Sequence, residues 1–248
     1  MKTQQLKKIC TALLSIVFLN TSAQENRQSA FAFNYNYQIP IGNLANTFGN
    51  NSAIGASFFL ETSNNMIFGV EGNYMFSSEI KDSTILENIS TSTGAIIGAD
   101  GRYANINLMQ RGFDSYLFGG YAIHFSESNL SGIYISQGVG YLQHQIFIDT
   151  KNQNIPQLDE DMKKGYDRFS NGFSTKFSLD YKYYHQKGRF QISSGFNYTM
   201  AYAKNQRAYD FANNEYYYSE RSWDKLLGFK VEVIIPINRK NEEEFHYY

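Results

Sequence analysis

The sequence predicts an all-β protein, an eight-stranded antiparallel up-and-down transmembrane β-barrel. Three observations carry this. Apolar and polar residues alternate with a period of two through eight separate segments, so that each segment has one apolar and one polar face. Helical periodicity is nearly absent, and no apolar run approaches the roughly 18 residues of a membrane helix. The polar faces are built mainly from Ser, Gly, Asn, Gln and Thr, where a soluble ligand-binding barrel would turn many charges toward water.

The segments follow in order. In the first, Phe31, Phe33, Tyr35, Tyr37, Ile39 and Ile41 share a face opposite Ala32, Asn34, Asn36 and Gln38. The second sets Ile54, Ala56, Phe58 and Leu60 against Gly55, Ser57 and Glu61, and the third sets Met66, Phe68, Val70, Tyr74 and Phe76 against Gly69, Glu71 and Asn73. Gly72 fills a gap in that apolar row. The fourth lies within Tyr103 to Phe125, with Phe113, Leu117, Tyr121 and Ile123 on one face and a bulge expected at Arg111-Gly112. The fifth carries Ile133, Ile135, Val139 and Tyr141, its row interrupted by Gln137. The sixth runs from Phe173 to Tyr183, the seventh from Phe190 to Tyr202, and the eighth from Leu227 to Ile237, with Lys230 and Glu232 on its polar face.

Connector lengths alternate. Thr62 to Asn65, Ser126 to Ser131 and His185 to Gly188 are short, while Ser77 to Arg102, Asp149 to Asn171 and Ala203 to Ser222 are long, with Asn43 to Ser52 intermediate. This is the arrangement of a barrel with tight turns at one end and loops at the other. Tyr74, Phe76, Tyr181, Tyr183 and Tyr202 fall near segment ends, where aromatic girdles meet the bilayer interfaces. Eight strands enclose a space that side chains fill, so a packed lumen is expected and not a pore. The charges on the polar faces, Glu61, Glu71, Asp114, Lys176, Asp180, Lys182, Lys230 and Glu232, are expected to form a polar network there, paired with one another.

The 248-residue chain is 42% hydrophobic, 17% aromatic and 18% charged, which excludes a disordered polypeptide. Residues 1–23 read as a signal peptide: Lys2, Lys7 and Lys8 precede the apolar stretch Ile9 to Leu19, and Thr21-Ser22-Ala23 supplies small residues for cleavage after Ala23. Cys10, the only cysteine, falls inside it, leaving no thiol, disulfide or thiolate metal ligand in the mature chain. Of 22 basic residues, removal of those three leaves 19 against 23 acidic ones, a net charge of -4, which argues against nucleic-acid binding. The expected organisation is a signal peptide over 1–23, an outer-membrane barrel over 24–238 and a periplasmic tail over 239–248. An even strand number returns the chain to its side of entry, so both termini and the short turns are expected in the periplasm and the long loops outside. The tail ends in Glu242, Glu243, Glu244, Phe245, His246, Tyr247 and Tyr248, an acidic run with aromatic residues suited to docking a partner, or a solvated end.

These features resemble the small outer-membrane β-barrel superfamily that includes the OmpA membrane domain and OmpX. The resemblance rests on the export signal, the eight amphipathic segments, and the opening Tyr37-Gln38-Ile39-Pro40-Ile41-Gly42-Asn43-Leu44 leading to Gly55-Ala56-Ser57. The Asn, Tyr and Phe richness and the Ser22-Ala23-Gln24 context resemble the Bacteroidota members. Gly228, Val231 and Val233 loosely match the assembly signal of a last strand, although the chain continues 15 residues beyond Val233. The resemblance implies a non-enzymatic porin-like fold in contact with outer-membrane lipid and lipopolysaccharide. It also implies an adaptor or accessory role with other envelope proteins, type IX secretion and gliding complexes among them. A stand-alone surface-binding barrel is the alternative.

An outer-membrane lipid A-modifying enzyme is the competing class. Its best candidate is His124-Phe125-Ser126 followed by Glu127, whose His-x-Ser pair resembles a lipid A deacylase arrangement. The strand count places this pair at the periplasmic end, away from an outer-leaflet substrate. Asp159-Glu160-Asp161 lacks calcium-loop spacing, and His144, His185 and His246 stand isolated without metal-ligand spacing, so no cofactor or metal is expected. Gly94 to Gly101 is no phosphate loop and is expected to be a flexible part of a long loop. The tip Asn213 to Tyr218 offers stacking groups.

Overall fold

The computed structural model describes residues 26–126, 129–184, 190–216 and 221–237. The expected signal peptide, the tail with the residues proposed for docking, His185, His246 and Glu127 lie outside the described residues.

Each alternating segment is a strand: β1 (Asn26–Ile41), β2 (Asn51–Thr62), β3 (Met66–Ser77), β4 (Asn107–Ser126), β5 (Asn129–Asp149), β6 (Ser170–Tyr183), β7 (Gln191–Asn205) and β8 (Arg221–Pro236). Consecutive strands pair antiparallel and β1 closes on β8, with Phe33 opposite Val233 and Tyr37 opposite Phe229. Closure leaves no unpaired edge, the condition for a sheet to cross hydrocarbon. The period of two then sorts the residues. Leu117 is 65% exposed on the outside while Asp114 on the same strand is fully buried inside. The apolar rows named above face outward, and on β1 the belt runs from Phe31 to Ile41, about the ten residues a tilted strand needs to span a bilayer, with outward Lys225 opposite Ile41 and Arg111 opposite Phe76 at its loop-side rim. Aromatic pairs mark its rims: Tyr202 packs on Trp223 at 4.9 Å near the loops, and Phe125 on Tyr181 at 6.0 Å near the turns.

Two expectations are corrected. The bulge is not at Arg111-Gly112, where β4 stays in register with both neighbours; it lies between His124 and Ser126, where the strand turns into the β4–β5 hairpin. Gly94 to Gly101 is not a loose segment. An Ile97 to Tyr103 bridge and the Gly98 N–H bonded to the Arg102 carbonyl at 2.9 Å fold it back on itself. The strands also run further into the loop end than their apolar rows, because β4 and β5 continue to Asn107 and Asp149 with a mixed outer face on which Arg111 stacks over Phe147 at 3.4 Å.

The interior has three layers. Near the short turns, Ala30, Ala32, Phe59, Ile67, Ala122, Tyr134 and Ile234 form an apolar layer. Above it lie the ionised groups. Above those, Ala53, Met75, Leu142, Ala201 and Leu226 form a second apolar layer, continuous with a core that the loops supply themselves. Inward glycines make room for large polar neighbours: a Cβ on Gly228 would stand 2.5 Å from the Oδ1 atoms of both Asn36 and Asn197, which bond to each other across it.

Candidate functional site

The predicted lumen residues form two compact groups. Lys176 Nζ lies 3.0 Å from Glu71 and 3.4 Å from Asp114, and Asn73 donates to both carboxylates at 2.8 and 2.5 Å. Lys230 Nζ lies 3.2 Å from Asp180 and 3.1 Å from Glu232. Lys182 sits over the rings of Phe59 and Tyr134, at 3.9 and 4.3 Å. The remaining void among them measures about 30 Å³, the volume of a single water. Taking charges out of water is costly unless they are paired and hydrogen-bonded, a condition that the groups around Lys176 and Lys230 meet, while Lys182 rests on aromatic faces.

His124 belongs to the lower interior. Its Nε2 lies 2.8 Å from Glu61, which also accepts from Tyr134 at 3.0 Å, and the bulge separates it from Ser126. Asp159, Glu160 and Asp161 are exposed. Asp159 accepts from the backbone of Asp161 and Met162, and Lys163 and Lys164 pair with the other two, so the run opens a short 3₁₀ turn.

The loop end holds what the sequence did not reveal. Gly42 at φ +70 turns the chain out of β1, and the short helix α1 (Leu44–Thr47) drops Leu44 and Phe48 onto the barrel mouth. The β3–β4 and β5–β6 loops add Ile85, Ile96, Ile155, Leu158 and Tyr166 to the same core, and Phe211 of the β7–β8 loop stacks edge-on against Tyr166 at 5.5 Å. The intermediate connection and the three long ones therefore form one packed lobe.

Arg168 ties the lobe together. Its guanidinium bonds Asp82 of the β3–β4 loop at 2.6 Å and Thr47 of α1 at 3.4 Å, and lies 3.8 Å from Asp210 of the β7–β8 loop. Burial alone would raise the Asp82 carboxyl; hydrogen bonds from Thr84 and Arg168 outweigh it and hold Asp82 below the ordinary aspartate value. Beside it Arg207 grips Asp167 through Nε at 2.9 Å and through a second guanidinium nitrogen, which raises the guanidinium value.

Between these loops and the upper apolar layer lies an open cleft of about 440 Å³. Its floor is a pair from opposite strands, His144 Nε2 with Asp224 at 2.8 Å, with Phe48 edge-on to the imidazole at 5.3 Å. Arg168, Asp82 and Asp210 form a wall. Ser222 donates to Asp224 at 3.3 Å, so its hydroxyl bonds the acid and does not extend an acid–histidine–hydroxyl series. His144 has no sequence neighbour of interest, yet it and Asp224 both fall on inward positions of their strands, a parity that alone marks them as facing the interior.

The sequence matches no protein-family model and no curated protein. Solved structures to which the chain is similar include Ail, the attachment invasion locus protein of Yersinia pestis, in complex with the heparin analogue sucrose octasulfate (11% identity, 86% of this chain and 99% of that one, TM-score 0.43). They also include the N-terminal β-barrel domain of Pseudomonas aeruginosa OprF (9%, 85% and 100%, 0.40) and Neisserial surface protein A (9%, 86% and 99%, 0.40). These are small outer-membrane barrels. At such identities the likeness concerns the barrel and not the side chains of the cleft.

Proposed function

We propose that this chain is a non-catalytic outer-membrane barrel that displays its loop lobe as a fixed surface for other envelope proteins, acting as an adaptor or accessory subunit of an envelope or secretion complex. One observation carries the reading: the lumen is closed by a packed layer on either side of its ion pairs, while all four connections at the loop end are spent on a lobe whose core is continuous with the barrel mouth. A transport barrel needs an open or openable path, and a bare anchor needs no ordered lobe. The outward apolar belt and the export signal expected over residues 1–23 support placement in the outer membrane, with the short turns and both termini periplasmic and the lobe outside. A type IX secretion or gliding assembly is one such complex.

The lipid A-enzyme reading is less well supported. His124 is engaged inside the barrel with Glu61, and Ser222 donates to a carboxylate. The test is native co-purification of a loop-tagged chain from outer membranes in mild detergent, with and without residues 239–248. Stoichiometric envelope partners are expected. A clean monomer in both preparations would overturn the adaptor role.

A further inference from the structure

We infer that the cleft beneath the loop lobe is a binding site for a primary ammonium group carried on a short alkyl arm. This holds whether or not the barrel is an adaptor.

The charge of the lining is the first argument. Three carboxylates, Asp82, Asp210 and Asp224, face a single guanidinium, that of Arg168. Arg207, on the same loop as Asp210, is spent on Asp167 and does not line the cleft. The cleft therefore carries a negative potential, concentrated by the low-dielectric barrel mouth beneath it, and a phosphorylated or sulfated ligand would be repelled.

The hydrogen-bond balance points the same way. Many of the donors are engaged within the cleft: Arg168 donates to Asp82 and Thr47, Ser222 to Asp224, Ser170 to the Arg168 carbonyl, and the Asn213 amide to Asp210, while the amides of Asn43, Asn46 and Asn205 also line it. Acceptors are in surplus, since each carboxylate offers about four lone-pair sites. The Nδ1 of His144, whose Nε2 pairs with Asp224, is buried and has no hydrogen-bond partner among the described residues, and in the tautomer with the proton on Nε2 it is an acceptor. An ammonium brings three donors and one positive charge. Leu44 and Phe48 line the same cleft and offer apolar surface to a methylene chain. The volume, about 440 Å³, lies within the range of small-ligand sites.

The ammonium can come from a free polyamine or from a lysine side chain of a partner protein. Binding to the full-length barrel in lipid nanodiscs is measured by calorimetry with cadaverine, with Nα-acetyl-lysine methylamide, and with 1,5-pentanediol as the uncharged analogue. Both amines are expected to saturate and the diol to give no heat. Preference for cadaverine assigns the site to free amines, and preference for the lysine derivative assigns it to a protein partner. Asp224→Asn, close to isosteric, is expected to weaken amine binding at least tenfold. Asp210→Asn, on a loop and outside the barrel wall, is the second variant in case the first misfolds, which the gel mobility of unheated samples reveals. Equal binding of diol and amine, amine affinity unchanged in the folded variants, or no saturable amine binding would each overturn the inference.

Discussion

Arg168 and Asp82 meet at 2.6 Å although 86 positions separate them, and through this contact the β5–β6 loop holds the β3–β4 loop against the barrel mouth. The same guanidinium reaches Thr47 and Asp210, so one side chain touches the other three connections at the loop end. Arg168 has a φ of +46, a left-handed conformation that is unfavourable for a residue with a Cβ and is sustained here by the contacts its side chain makes. Arg168→Ala removes a charge-assisted set and is expected to cost the lobe about 2–3 kcal/mol, leaving the barrel folded. Limited trypsinolysis should then cut within residues 78–106 in the variant faster than in the parent, while the unheated gel mobility of the barrel stays unchanged. Arg168→Lys should rescue only in part, because an ammonium cannot fork between two loops.

The same contact predicts an acid limit. The folded Asp82 value is depressed, so the group favours the folded lobe above the ordinary aspartate value of 3.8, and the contribution fades as pH falls through the folded value below it. Proteolytic protection of residues 78–106, measured with an acid-active protease, should therefore fall from pH 4 downward, and Asp82→Asn should be less protected at neutral pH and flatter across the same window. Protection that is unchanged in Asp82→Asn would show that this pair does not hold the lobe.

The barrel was legible because a strand sorts its residues by parity alone: Phe31 to Ile41 or Phe173 to Tyr183 need no partner to announce which face is wet and which is oily. For the same reason Lys176, Asp180 and Lys230 were legible as interior charges, their strands being otherwise clean. The cleft was not. Arg168, Asp82 and Asp210 sit on loops, where no period exists to place a side chain, and their meeting depends on how four connections pack. His144 and Asp224 follow strand parity, but pairing them requires the diameter of the closed barrel and the positions of β5 and β8 around it. The bulge was misplaced for a related reason: Arg111-Gly112 breaks the apolar row because β4 leaves the bilayer there, a change of solvent that reads like a change of register.

Lys176 is the only cation within 4.0 Å of Glu71 and Asp114 among the described residues. Removing one partner of a buried ionic group strands the other, at about 3–5 kcal/mol. Lys176→Met should therefore lower the unfolding free energy of the barrel in lipid, read from urea titration, by that amount, whereas Lys176→Met combined with Glu71→Gln and Asp114→Asn should recover most of it, since the three neutral side chains retain much of the volume. A triple variant no more stable than the single one would mean that Lys176 acts through packing against the Tyr116 ring, 4.2 Å away, and not through its charge.

The layered lumen makes the last prediction the sharpest. Ions crossing from the loop side meet Met75, Leu142 and Leu226, then paired charges around a water-sized void, then Phe59, Ile67 and Tyr134. Both outer layers are close-packed, and their few buried polar groups, such as Glu61 bonded to Tyr134 and Gln110 beside Met75, do not replace a hydration shell, so each layer is a barrier. Planar-bilayer recordings of the protein should show no stable porin-sized steps. The variant Met75→Ala, Leu142→Ala, Leu226→Ala should lose about 2–5 kcal/mol for each truncated side chain before relaxation, yet remain closed, because the ion pairs and the lower layer persist beneath the new cavity. Steady steps in the parent protein would overturn the sealed lumen. Steps confined to the variant would show that the upper layer alone is the seal and that the ionised layer conducts once it is exposed.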